Sequence, residues 1–373
     1  MNLRSLVVWS DEKTLRALRR VLSDLEIAVE SCQDADEAIR KLTRERYEAV
    51  IVDCADEANA VQVLSSCRVS PVNKQAVTVA MVDGDKNPRS VASLGAHFTL
   101  YKPISERAKG SFRAVRALMK CERRRHARVA IEFPVTILQD AKESSAITLD
   151  MGEGGMAIQI ARRPEKAGLV RLKFILPGSD MAVECAAEMA WQGPASQVGL
   201  RFLDLSPDLR GRFGKWVARQ SGDLDQDDPP VRAMITDLSL GACYLKIPTP
   251  FPVGTQLTLA CGGDKPIQAE GVVRITHPET GMGVEFSRTT PVLEEKVEKL
   301  INLLVGSSTL PELQVSPCGL EESDSQQAAA SRTEDPLLGL FRNGAQLSAE
   351  NFRAALLQQR NAPAALQEAG VTA

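Results

Sequence analysis

The chain of 373 residues contains no uninterrupted apolar run of the ~18 residues that a membrane-spanning helix requires, so no such helix is expected. It also lacks any Cys-x-x-Cys pair. Eight cysteines are scattered singly, and His97, His126 and His277 have no metal-like spacing to them. That pattern excludes a zinc site or a disulfide framework and suits a reducing compartment, where single cysteines behave as small apolar side chains. No Ser/His/Asp set and no glycine-rich phosphate loop is present, so no enzyme is expected. The apolar stretch "SLVVW" near the start is too short for a secretory signal and meets acid at Asp11, so a cytoplasmic location is expected. A formal net charge of −3 gives no support to nucleic-acid binding by the protein as a whole.

Charge is nonetheless concentrated. Between Ile104 and Arg128 stand nine Lys/Arg against two acids, ending in "CERRRHAR", where Arg123, Arg124, Arg125 and Arg128 crowd together. An alternating apolar run follows at once, with Val129, Ile131 and Phe133. One reading of this cluster is a patch for nucleic acid or anionic membrane, with the steep salt dependence such patches show. The plainest alternative is a solvated linker face, or one paired with the acidic "SGDLDQDDPP" further on.

Length alone suggests two to three domains. Residues 1–120 alternate short apolar runs ("SLVVW", "AVIVDC", "AVTVAMV", "FTLYKP") with helical spacing such as Leu15, Leu18, Val21 and Leu22. This predicts a doubly wound α/β domain with a parallel sheet, whose sites form at the C-terminal strand ends. Residues 121–305 turn to strand alternation and contain a repeat. "AITLDMGEGGMAIQI" recurs as "AMITDLSLGACYLKI", pairing Asp150 with Asp237, Gly152 with Ser239 and Gly154 with Gly241. Each copy runs to a Gly-x-x-Phe (Gly199 and Phe202, Gly283 and Phe286) and ends in an amphipathic helix. Two small six-stranded β-barrels, at 121–220 and 221–306, each capped by its helix, are expected. Trp191 reads as barrel core and Trp216 as helix core. Residues 307–373 read as a disordered tail with one short helix near 348–360, capped by Ser348 and stapled by Leu347 and Phe352.

The first region resembles a response-regulator receiver domain. Asp53 after "AVIV" matches the phospho-acceptor, Lys102 in "LYKP" the last-strand lysine, and Asp11 one of the paired acids that hold Mg²⁺. Ser10 stands where the partner acid is usual, "MVDG" lacks the usual Ser/Thr, and Thr99 replaces the switch aromatic. The resemblance implies either phosphorylation at Asp53 with Mg²⁺, or a pseudo-receiver used for dimerisation or docking.

The barrels resemble the PilZ-domain family, whose ligand is the bacterial second messenger cyclic di-GMP. Arg124 and Arg128 fill the family's Arg-x-x-x-Arg, and Asp150 and Gly155 fill the ends of its Asp-x-Ser-x-x-Gly, with Gly152 where Ser is usual. The resemblance implies a cyclic di-GMP site made by Arg123, Arg124, Arg125, Arg128, Asp150, Gly152 and Gly155. Arginine can fork onto guanine O6 and N7, or pair bidentately with phosphate. Asp150 can accept from guanine N–H groups, and glycines let a flat base approach the backbone. A flexible arginine segment would wrap the ligand and become ordered on binding. Asp150 serves equally as a cap for its own turn. The second copy keeps Asp237 and Ser239 but has Ala242 at the last position, no Arg-x-x-x-Arg and little room for a first strand, and reads as a non-binding partner. The expected function is a cyclic di-GMP effector or adaptor acting through a protein partner. The rivals are a scaffold that binds only proteins and an adaptor regulated at Asp53.

Overall fold

The computed structural model describes residues 3–361 apart from 85–93, 105–107, 140–141, 162–168, 204, 206, 222–227, 263–265, 278–279, 289–290, 306–311, 322–334 and 345–348. Ser348 and Leu347, the expected cap and staple, lie outside the described residues. None of the described helices is long and apolar enough to cross a membrane.

In the N-terminal region β1 (Leu3–Val8), β2 (Ile27–Cys32), β3 (Ala49–Asp53), β4 (Val77–Asp83) and β5 (Phe98–Lys102) form a parallel sheet in the order β2-β1-β3-β4-β5. That is the doubly wound order in which a site forms where strand direction of growth reverses, between β1 and β3. Every residue of β3 is buried, as expected for a strand covered on both faces. Helix α1 (Glu12–Asp24) and helix α4 (Ala108–Arg125) cover one face, and α2 (Ala35–Arg44) and α3 (Glu57–Val69) the other. Asp11, Asp34 and Asp56 cap α1, α2 and α3 by accepting backbone N–H bonds in their first turns.

The chain separates into two compact units. One comprises residues 122–226, and the other joins residues 2–121 to 227–373. The receiver-like region and the second barrel, expected as separate domains, therefore share a unit. Helix α4 is what joins them: its Phe112, Val115, Leu118 and Met119 are fully buried in one apolar cluster with α1, the sheet and the interior of the second barrel. Beside it Asp228 accepts from Arg116 Nη1 (2.5 Å) and Lys120 Nζ (3.0 Å), while Arg116 Nη2 reaches Glu26 (3.1 Å).

In residues 122–226 the strands β7 (Pro134–Gln139), β8 (Lys142–Gly152), β9 (Gly155–Ile160), β10 (Leu169–Ile175), β11 (Ala182–Gln192) and β12 (Gln197–Phe202) close into a barrel, β8-β7-β10-β11-β12-β9, sealed by β8 on β9. A short β6 (Arg128–Ala130) adds to β8. Helix α5 (Pro207–Gln220) plugs this barrel with Phe213, Trp216 and Val217. Phe133, Phe174, Phe202, Phe213 and Trp216 form a chain of ring contacts with centroids 5.8 to 6.3 Å apart.

The second barrel is built from β13 (Val231–Leu238), β14 (Ala242–Lys246), β15 (Thr255–Cys261), β16 (Ile267–His277), β17 (Gly281–Phe286) and β18 (Glu312–Leu320), in the closed order β13-β14-β17-β16-β15-β18. Five of these repeat β8 to β12 in sequence and in pairing. The sixth does not. The place that β7 holds between β8 and β10 is held by β18 between β13 and β15, antiparallel to both. The missing first strand thus arrives from beyond the helix α6 (Pro291–Val305), and the barrel is permuted. This corrects the boundary expected at 306 and the expectation of disorder for 312–320. The sequence signal was weak because "ELQVSPCGL" carries a proline and a glycine, both rare in strand interiors.

Two further helices, α7 (Pro336–Gly344) and α8 (Ala349–Asn361), pack on the outside of the second barrel; α8 meets the expectation of a helix near 348–360. Phe341 and Phe352 bury against Tyr244 and Ile275, and Phe352 lies 4.3 Å from the His277 ring centroid. Burial pushes the His277 imidazole down to about 4, so it is neutral at pH 7 beside the Tyr244 hydroxyl at 3.1 Å. Asp335 caps α7 at Leu337 and Leu338 and accepts the Gly241 N–H at 2.8 Å.

Leu313 on β18 is fully buried in the barrel core. Leu313→Ala is expected to cost about 3 kcal/mol, the cavity cost of a core leucine, where a residue of a disordered tail would cost nothing. Chemical denaturation of the two proteins measures the difference.

Candidate functional site

Register brings the arginine cluster and the expected turn together within the first barrel. Helix α4 ends with Arg123, Arg124 and Arg125 in its last turn, all half-buried, and Arg125 stands 4.0 Å from Glu122. Three residues later β6 pairs with the end of β8, matching Arg128 to Gly152 and Ala130 to Asp150. Arg128 Nε donates to Asp150 Oδ1 at 2.6 Å, and Arg128 Nη2 also meets that oxygen. Both side chains are open to solvent, 45% and 37% exposed. The arginine segment is therefore helix followed by strand, which corrects the expected flexible linker.

The glycines have a different role from the one expected. A Cβ on Gly152 would come within 2.5 Å of the Ala127 carbonyl oxygen, and one on Gly155 within 2.1 Å of the Leu200 carbonyl oxygen. Their missing side chains admit neighbouring backbone, β6 over Gly152 and β12 beside Gly155, and both glycines are buried. Of the three glycines in this turn, Gly154 alone has open space where a Cβ would stand, and it is exposed at the tip.

Asp150 sits at a bulge opposite Ala157, Ala157 opposite Gly199, and Gly199 opposite Trp191. Paired residues on adjacent strands share a face. Met156 and Ile158, on either side of Ala157, point into the core, so this row lies on the outer surface. Trp191 is thus outside the barrel and 49% exposed, whereas Trp216 is 8% exposed with Nε1 donating to the Pro177 carbonyl at 3.0 Å. The reading of Trp216 as core agrees with this, and that of Trp191 does not. Strand alternation hid it because the bulge between Met189 and Trp191 reverses the facing of the residues after it. The informative signal was the small residue opposite, Gly199.

The second barrel repeats this row as Asp237, Tyr244, Gly283 and Ile275. There α7 and α8 cover it: a Cβ on Gly283 would strike the Phe341 ring at 2.8 Å. Ser239 is spent in its own turn, accepting from the Ala242 N–H at 3.0 Å, and Asp237 accepts from Thr236 at 2.7 Å.

In the receiver-like region Asp53 is enclosed. Ser10 Oγ donates to its Oδ2 at 2.5 Å, and Lys102 Nζ and the Ala55 N–H to its Oδ1 at 2.8 and 3.1 Å. Lys102 also pairs with Asp83 at 3.1 Å. Asp11 is turned to capping: it accepts from Lys13 N, Thr14 N and Thr14 Oγ1, and these bonds, those from Thr14 foremost, hold its carboxyl below the usual range. Among the described residues no group of three His, Cys, Asp or Glu side chains could hold a metal. The donors present do not fit Mg²⁺, which prefers several hard oxygen ligands.

The PilZ domain family model matches residues 122–219 and again 218–303. No curated protein matches the chain. Similar solved structures include the receiver domain of a sensor histidine kinase of Pseudomonas aeruginosa, at 18% identity, covering 31% of this chain and 95% of that one with a TM-score of 0.28. A response regulator from Hahella chejuensis is 22% identical over 32% of this chain and 94% of its own, TM-score 0.27. The PilZ domain of CeSA from a cellulose-synthesizing bacterium is 14% identical over 25% and 97%, TM-score 0.21. The repeat, the two barrel topologies and the family match agree: residues 122–303 belong to the PilZ family as two tandem domains, and a receiver-like α/β domain precedes them.

Proposed function

We propose that this protein is a signalling adaptor that binds cyclic di-GMP on the first PilZ domain, with Arg128 and Asp150 as the central contacts and Arg123, Arg124 and Arg125 beside them, and passes the signal to a protein partner. The observation that carries this reading is the solvent-open Arg128–Asp150 pair, built by β6 pairing with β8. An exposed ion pair of this kind is worth only ~0.2–1 kcal/mol. A ligand with two phosphates and two guanines offers both partners better bonds. Arg128 exchanges a carboxylate for phosphate or the guanine O6/N7 edge, and Asp150 exchanges a guanidinium for guanine N–H donors. The pair thus keeps both groups oriented without holding them firmly.

Asp53 supports the pseudo-receiver reading rather than regulation by phosphorylation. Its carboxylate is closed in by Ser10, Lys102 and the Ala55 N–H, and the metal-binding acids that phosphoryl transfer requires are not assembled. The second PilZ domain supports a non-binding role, since α7 and α8 cover the row that corresponds to the open one.

Calorimetry on the full chain is expected to show one cyclic di-GMP bound per chain, with GMP and ATP giving much weaker heat. Arg128→Ala and Asp150→Ala are each expected to weaken binding tenfold or more, as loss of a charged hydrogen bond at ~1.5–3 kcal/mol implies. No heat with cyclic di-GMP leaves the protein-only scaffold. Gly152→Ser, which restores the usual family residue, is expected to destabilise the first barrel by about 1–3 kcal/mol through collision with the Ala127 carbonyl and to leave affinity no better; thermal melting and calorimetry of that variant check both.

A further inference from the structure

The outer face of the first barrel carries an apolar row that the fold does not use. Ile147 on β8 pairs with Pro134 on β7, and Ile175 on β10 pairs with Ala182 on β11. The β7–β10 register matches Thr136 to Lys173, and two residues further along it sets Pro134 beside Ile175. Paired residues on adjacent strands share a face, so Ile147, Pro134, Ile175 and Ala182 form one row across four strands. All four are exposed, Ile147 at 52% and Ile175 at 62%. Their strand neighbours Ala146, Val135, Phe174 and Val183 point the other way and fill the core.

Single exposed apolar side chains are common on protein surfaces, but a continuous row of them marks a contact surface. The second barrel shows that the architecture does not demand it. The 87-residue offset sets Met234 at the place of Ile147, and the neighbour of Met234 is Glu312, paired with Arg232 at 3.6 Å. Where β7 carries a proline in this row, β18 carries a charge.

Charge around the row selects its occupant. The next level of the face reads Ser145, Thr136, Lys173 and Glu184, and the one after it Glu143, Leu138, Arg171 and Ala186. The β10–β11 half is densely charged, with Arg171 and Lys173 sharing Glu184 at 3.3 and 3.5 Å. The β8–β7 half offers only hydroxyls at the level of Lys173 and Glu184. A two-fold axis parallel to the strands, between β7 and β10, lays each half on the opposite half of a second copy. Level by level, Ile147 then faces the partner's Ala182 and Pro134 the partner's Ile175. Thr136 faces the partner's Lys173, and Ser145 the partner's Glu184. Leu138 meets the stem of the partner's Arg171, and Glu143 the partner's small Ala186. Apolar meets apolar, charge meets hydroxyl, and no like charges stand directly opposite, which is the pattern that favours a contact.

We infer that the protein forms a symmetric dimer through the β8-β7-β10-β11 face of the first barrel, in which the row of Ile147, Pro134, Ile175 and Ala182 packs on the same row of a second copy. The contact is isologous, so each residue of the row is used twice. A row of four side chains is small beside the ~800 Å² per partner of a stable interface, so the association is micromolar. It needs no ligand and stands apart from the reading of the Arg128–Asp150 site.

Sedimentation of the full chain between about 1 and about 100 μM, without nucleotide, tests this for wild type, Ile175→Lys, Ile147→Lys and Met234→Lys. Wild type is expected to move from one chain mass toward two as concentration rises. Each lysine in the row buries an unpaired charge twice over in the dimer, so Ile175→Lys and Ile147→Lys are each expected to weaken association roughly tenfold or more. Both positions are exposed in the single chain, and thermal melting of the dilute variants is expected to match wild type. Met234→Lys, at the equivalent place on the second barrel, is expected to dimerise as wild type does. A wild type that stays monomeric across the range overturns the inference and leaves the row to a different protein. Row variants that dimerise as wild type does, or a Met234→Lys as damaging as Ile175→Lys, overturn it by placing the contact on another surface.

Discussion

A β-barrel is sealed only when every strand has a partner on both sides, and this demand organises both repeats. In the first, β7 precedes β8 in the chain and fills the place between β8 and β10. In the second, the segment before β13 is acidic and proline-rich, and what is described of it is engaged elsewhere: Asp228 holds Arg116 and Lys120 of α4. The vacant place falls to β18, whose Leu313 and Val315 enter the core as fully buried side chains. Unpaired strand edges are costly and adhesive, so a strand from the far side of the domain is preferable to none. From that substitution follows the path of the C-terminal region along the second barrel. Asp335, Phe341 and Phe352 come to rest on the face that the first barrel leaves open.

Two carboxylate–cation pairs, Asp53 with Lys102 and Asp150 with Arg128, differ in their exposure to solvent. The Asp53 side chain is 1% exposed, and Lys102, Ser10 and a backbone N–H already satisfy it. Each of these bonds lies in a medium of low polarity, where it is strong. Asp150 has one cationic partner beside it, in water, where ion pairs are weak. A carboxylate–cation pair is thus buried and fully satisfied in one domain and open to water in the other. The cations differ, Lys102 in one and Arg128 in the other, but what separates the two environments is burial, which residue matching does not record.

What the sequence made legible followed from periodicity. The strand and helix order of the receiver-like region, the repeat and the closing helices were readable, because alternation and the 87-residue offset are local or self-referential signals, whereas Asp150 with Arg128 was legible only through the PilZ resemblance. Three things were not. The role of Gly152 depends on the Ala127 carbonyl passing over it, a contact set by the pairing of β6 with β8. The outward facing of Trp191 depends on a bulge, which reverses the side-chain parity on which strand reading relies. The affiliation of 312–320 depends on a vacancy created some eighty residues earlier. Each is a relation between distant segments, and composition does not record it.

The permuted strand also sets an order of events during synthesis. All the strands of the receiver-like sheet and of the first barrel have been made by residue 202, and α5, which closes that barrel, by residue 220. The second barrel still lacks one stave when α6 has emerged, and β13 and β15 then present bare edges to solvent or to a neighbouring nascent chain. Until Glu312–Leu320 has emerged, the second barrel is therefore an open sheet with adhesive borders, preceded by two modules whose strands are already complete. For this chain the stretch from Glu312 to Leu320 acts as a completion signal: the last piece whose arrival turns a sticky intermediate into a sealed body.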